Sequence, residues 1–153
     1  MTFQIHGPYE SPYAGLMMLK LDDASGAAWV TIGPAQSVGS WKEALEKIYW
    51  CPIGMHANMK AGRKSAGRFA LSGPVAFGDG GLAERKRHAA FLIEAKTGRT
   101  YVWTRKADGK EHFPFHDVFT DTFWKPVQEA KGAAPRSGKT IRYSLRPVIN
   151  AGL

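Results

Sequence analysis

Hydrophobic and polar positions alternate with a period of two along most of the chain. Residues 2–6, 16–21 (LMMLKL) and 27–32 (AAWVTI) read as strands, the last two joined by the turn residues 22–26 (DDASG). The fullest such pattern is AAFLIEAKTGRTYVWTRK, residues 89–106, which predicts a β-hairpin around Thr97-Gly98. If Lys96 pairs with Arg99, Ile93 faces Val102, Phe91 faces Thr104, Leu92 meets Trp103 and Glu94 meets Tyr101. One face is then apolar and is expected to be core. The other mixes Trp103 and Tyr101 with Glu94, Lys96, Arg99 and Arg105 and is a candidate working surface. Residues 69–77 predict a strand interrupted at Gly73-Pro74, and residues 140–148 predict a last one.

The period changes to 3.6 between Ser40 and Trp50. Ser40 and Glu43 form a capping-box pattern, and Trp41, Ala44, Leu45 and Ile48 make one apolar stripe. Pro52 ends this helix, because the residue before a proline avoids the helical region. Residues 54–61 suggest a short second helix. Residues 118–127 suggest a short helix or irregular segment with Phe119, Phe123 and Trp124 as core anchors. Residues 130–138 read as a flexible connection. No internal repeat is expected. The expected fold is α+β: a single domain with a mainly antiparallel sheet and one main amphipathic helix.

A chain of 153 residues suits one domain with one core, and a hydrophobic content of 44% suits a globular protein. The single cysteine, Cys51, rules out an internal disulfide framework and a cysteine zinc cage. That fits a cytoplasmic location. No signal-peptide pattern and no membrane-spanning apolar run is expected.

Charge changes the picture more. The net charge is +8, and it is uneven. Residues 1–59 balance to −2, residues 60–110 to +8 and residues 111–153 to +2. A localised basic region attracts polyanions, so nucleic acid, DNA or RNA, is the expected partner, with an acidic protein as the alternative. The candidate contact residues are Arg63, Lys64, Arg68, Arg85, Lys86, Arg87, Arg99 and Arg105 for phosphates. Tyr101 and Trp103 are the candidates for stacking on unpaired bases. No cofactor and no catalytic residue belongs to this reading.

Other patterns point to catalysis. FLIEAK, residues 91–96, resembles the E-x-K half of the PD-(D/E)xK nuclease core. That resemblance implies a divalent metal held by an upstream acid, here Asp79, and by Glu94, with Lys96 positioning water or stabilising charge. Residues 133–140 (AAPRSGKT) match a loose phosphate-loop pattern, but the strand-before and helix-after context is missing. His112 and His116 have a zinc-like spacing that Pro114 disfavours. Cys51 and His56 lack a visible third group to orient them.

Overall fold

The computed structural model describes residues 2–11, 15–32, 41–46, 48–78, 86–115 and 119–129. Period-two alternation governs nearly all of it. Strands β1 (Phe3–Ser11), β2 (Gly15–Asp22), β3 (Ala28–Ile32) and β4 (Cys51–Ile53) form a four-stranded antiparallel sheet in chain order. Strands β5 (Phe69–Gly78), β6 (Lys86–Glu94), β7 (Thr100–Ala107) and β8 (Lys110–His112) form a second sheet, in which β9 (Thr122–Pro126) also pairs with β7. The sheets meet at one edge, where Gly54 N–H donates to Thr122 O at 2.8 Å and Trp124 N–H donates to Gly54 O at 2.9 Å. At another point Phe69 N–H donates to Asp23 O at 2.9 Å.

This overturns the α+β expectation; the fold is mostly β. Helix α1 (Trp41–Glu46) has six residues and α2 (Ala57–Ala61) has five. Ser40, the expected cap, lies outside the described residues. The expected stripe does not enter the core, since Leu45 is 66% exposed and Ile48 is also exposed. The physical reason is that both sheets supply the core, so a helix of under two turns has nothing left to cover. Leu45→Ala is therefore expected to change stability by no more than about 0.5 kcal/mol in urea denaturation. The segment with Phe119 and Trp124 is also not helical: β9 forms there, and both anchors are buried.

Contrary to the sequence reading, the chain contains an internal repeat, visible in the pairing register. Phe3 pairs with Asp22, and Phe69 pairs with Glu94. The first ladder slips between His6 and Tyr9, the second between Ser72 and Val75. Leu19 opposes Val30 as Phe91 opposes Val102, and Trp29 opposes Pro52 as Tyr101 opposes Pro126. Short sequence matches coincide with these positions: FQIHGP (3–8) with FALSGP (69–74), DDASG (22–26) with EAKTG (94–98), and WCPI (50–53) with WKPV (124–127).

The two hairpin turns share their backbone hydrogen bonds and the hydroxyl-to-carboxylate contact. Asp22 N–H donates to Ala27 O and Gly26 N–H to Asp22 O, as Glu94 N–H donates to Arg99 O and Gly98 N–H to Glu94 O. Ser25 Oγ donates to the Asp22 carboxylate and Thr97 Oγ1 to that of Glu94. Gly26 and Gly98 have φ of 81° and 74°, the left-handed region that glycine enters without steric cost. The predicted two-residue turn is thus replaced by a four-residue loop, and Ile93 opposes Thr100 instead of Val102.

A slip of two residues keeps each side chain on its face. The assignment of faces was nevertheless reversed. Leu92, Tyr101 and Trp103 are core, while Phe91 and Ile93 are exposed. The cause lies outside the hairpin. Phe69 on β5 and Trp124 on β9 share the face of Tyr101 and Trp103, and four aromatic rings outweigh the aliphatic set opposite. These residues join Met17, Leu19, Leu21, Val30, Ile53 and Met59 in one hydrophobic cluster drawn from both sheets.

Candidate nucleic-acid interface

Glycine and cations crowd residues 62–68, GRKSAGR, and the structure folds this loop against the turn of the second hairpin. Ala95 N–H donates to Arg68 O at 2.8 Å. The Arg68 side chain then reaches beneath the turn, where Nε donates to Glu94 Oε2 at 2.9 Å and Nη2 lies 2.7 Å from the same oxygen. Nη1 donates to Met59 O at 3.2 Å, which ties in the end of α2. Both charged residues are buried. Gly62 makes room for this arrangement, because a Cβ there would sit 1.8 Å from Arg68 Nη2.

Glu94 is saturated. The Thr97 hydroxyl takes Oε1, and Arg68 takes Oε2. The Thr97 hydrogen bond, joined by Arg68 and more weakly by the Arg99 charge, holds the Glu94 carboxyl below its ordinary pKa against the opposing effect of burial. Asp23 also turns inward, and its Oδ2 accepts from Gly67 N–H at 3.3 Å. The Glu94 and Asp23 carboxylates are thus engaged beneath the surface. Lys60, Arg63, Lys64, Lys96 and Arg99 stay exposed above them. A shallow cavity of about 340 Å³ opens beside the turn, with Asn58, Arg99, Tyr101 and Glu129 among its lining residues.

The predicted contact residues therefore separate into groups. Arg63 and Lys64 lie exposed in the loop that Arg68 ties to the hairpin turn, and Arg99 lies exposed just after that turn. Arg87 and Arg105 lie at the opposite end of β6 and β7, where both guanidinium groups stack on the Phe115 ring, 4.5 and 5.5 Å from its centroid. His112 packs on the same ring at 4.6 Å. Arg68 is a buried structural cation and not a surface contact. Tyr101 and Trp103 are 1% and 0% exposed, so neither can stack on a base; the expected aromatic platform on that face does not exist. Lys86 opens β6, and Arg85 lies outside the described residues.

The aromatic residues that sequence reasoning missed lie on the first sheet. Lys20 Nζ sits 4.6 Å from the ring centroids of both Trp29 and Trp50, and Phe3 packs on Trp29 at 6.1 Å. The signal was the repeated W-x-P motif, which marks Trp50 as the counterpart of Trp124.

Of the nuclease-like set, only Glu94 and Lys96 lie among the described residues. Both Glu94 oxygens are occupied by protein donors, Lys96 lies in the turn beyond β6, and Asp79 is outside the described residues. Among the described residues, no three His, Cys, Asp or Glu side chains gather as metal ligands. His56 Nδ1 accepts from Asn58 N–H and caps α2, while Cys51 sits half-buried in β4. His116, the phosphate-loop-like residues 133–140 and the expected last strand at 140–148 lie outside the described residues. Among the described residues, no helix is long and apolar enough to cross a membrane. No family model, no curated protein and no solved structure matches the chain.

Proposed function

We propose that the protein binds nucleic acid through phosphate contacts made by Lys60, Arg63, Lys64, Lys96 and Arg99. The observation that carries this reading is the Arg68–Glu94 ion pair, which joins two basic segments into one rigid end and takes up a carboxylate that would otherwise offset their charge. Exposed cations held at fixed spacing release condensed counterions when they meet a phosphate backbone. The contacts read backbone charge and not base identity, so single-stranded and duplex oligonucleotides both bind. Arg87 and Arg105, stacked on Phe115, form a second cationic group along the same sheet.

The test is a fluorescence-anisotropy titration of mixed-sequence oligonucleotides at several salt concentrations. Log affinity is expected to fall linearly with log salt, with a slope of about 0.7–0.9 per phosphate contacted. Arg63→Glu with Lys64→Glu should weaken binding and flatten the slope, for single strands and duplexes alike. Binding that is absent at low salt, or unchanged in the double variant, would reject this site.

A further inference from the structure

The two repeats do not pack with the same face inward. Cross-strand pairing places Phe3, Ile5, Lys20 and Trp29 on one face of the first sheet, its front. Their repeat counterparts Phe69, Leu71, Leu92 and Tyr101 form the front of the second sheet. The second sheet buries its front: Phe69, Leu92 and Tyr101 are core. The first sheet buries its back, with Leu19, Leu21 and Val30 in the core. The interface inside the molecule is therefore the front of one repeat against the back of the other.

In such a stack one front and one back face outward, and among the described residues both show exposed apolar side chains, although Asp22 and Thr31 on the first-sheet front are buried. On the front of the first sheet Phe3 and Ile5 are 51% and 63% exposed. On the back of the second sheet Val75, Phe91 and Ile93 are 61%, 41% and 43% exposed. Phe91 and Ile93 are the counterparts of Leu19 and Leu21, which are fully buried in the first repeat. The two open surfaces are thus the repeat equivalents of the two surfaces that cover each other at the centre of the chain. Exposed apolar sheet faces of this kind mark interaction sites.

We propose that the protein associates head to tail with further copies of itself, the front of the first sheet in one copy covering the back of the second sheet in the next. Lys20 stands where the second repeat has Leu92. Its ammonium lies over Trp29 and Trp50, so the aromatic faces are screened from water in the free molecule while the side-chain stem adds apolar area. The contact uses two different surfaces, so a dimer leaves one of each unsatisfied and growth continues into a chain or a ring. This inference does not rest on nucleic-acid binding, because its surfaces are the sheet faces and not the basic end.

Sedimentation velocity on nuclease-treated protein over a wide concentration range tests it. The weight-average mass of the native chain should rise past that of a dimer. Ile5→Asp spoils only the front and Phe91→Asp only the back; both positions are exposed, so each variant should keep its native circular dichroism spectrum. Each variant alone should be monomeric. A mixture of the two should form a one-to-one dimer, because each supplies the surface the other lacks, and should grow no further. A native chain that is monomeric at every concentration, or that stops at a dimer, would overturn the proposal, as would a mixture of the two variants that stays monomeric. Assembly that appears only on adding oligonucleotide would equally overturn it.

Discussion

Trp103→Ala is expected to cost about 3–5 kcal/mol, enough to unfold a marginally stable domain near room temperature. Trp103 is fully buried at the crossing of β7 and β9, directly opposite Trp124. Its ring packs on Phe119 at 4.9 Å and on His88 at 6.5 Å. Alanine would leave a cavity bounded by strands on two sides, which cannot collapse without breaking ladder hydrogen bonds. Trp103→Phe separates ring burial from the indole N–H. Trp103 Nε1 finds no hydrogen-bond acceptor among the described residues, so phenylalanine keeps apolar contact while removing a buried donor. The phenylalanine variant should therefore lose much less than the alanine variant. Chemical denaturation, with near-ultraviolet circular dichroism as a packing probe, measures both. A stable, native-like Trp103→Ala would contradict the core described here.

The same tryptophan shows what sequence reasoning reaches and where it stops. Strand positions are readable because alternation is local: residues 16–21, 27–32 and 69–77 each fall within an observed strand or one residue from it. Which face of the hairpin is buried depends on partners far away in the chain. Phe69 and Trp124 decide it, and neither is visible from residues 89–106. The helix around Leu45 shows the converse. Its 3.6-residue period is present in the sequence, but a period states only which side chains share a face, not that anything exists for that face to cover.

The repeat escaped for a different reason. Its matched segments are separated by loops of unequal length: residues 12–14 lie between the first two strands, and 79–85 between their counterparts. A fixed-period comparison therefore loses register. The side chains also diverge wherever the two sheets point opposite faces inward. Lys20 can stand for Leu92 because its position on the first sheet is only half-buried and need not fill a core. What survives is the backbone chemistry of the turns and bulges: Gly7-Pro8 and Gly73-Pro74, and the acid, hydroxyl and glycine of DDASG and EAKTG.

The cationic part of the candidate site was legible as composition, since the excess positive charge of residues 60–110 is a count. Its division was not. Arg68 reads like Arg63 in the sequence GRKSAGR, and only the fold assigns one to a buried carboxylate and the other to solvent.

Arg68→Ala is accordingly expected to cost about 3–5 kcal/mol at neutral pH, far beyond an ordinary surface cation, because it leaves the Glu94 carboxylate buried beside an empty space. Its pH dependence distinguishes this from a loss of packing alone. In the native chain the Glu94 carboxyl has a lowered pKa, held down first by Thr97 and then by Arg68. A group with a depressed folded-state pKa stabilises the protein above its unfolded pKa, and that contribution is lost as pH falls through the folded value. Removing Arg68 raises the folded-state pKa, so Glu94 takes up its proton at higher pH. The stability gap between native chain and variant should then be widest near neutrality and narrow as pH falls through the carboxylate range. Replacing both partners with apolar residues, Arg68→Met with Glu94→Leu, should recover much of the loss, because no buried charge remains. Urea denaturation of the native chain, both single variants and the double variant across that pH range gives the coupling directly. A variant within about 1 kcal/mol of the native chain at every pH would place the pair in the class of weak surface ion pairs and undo the rigid basic end that the proposed function depends on.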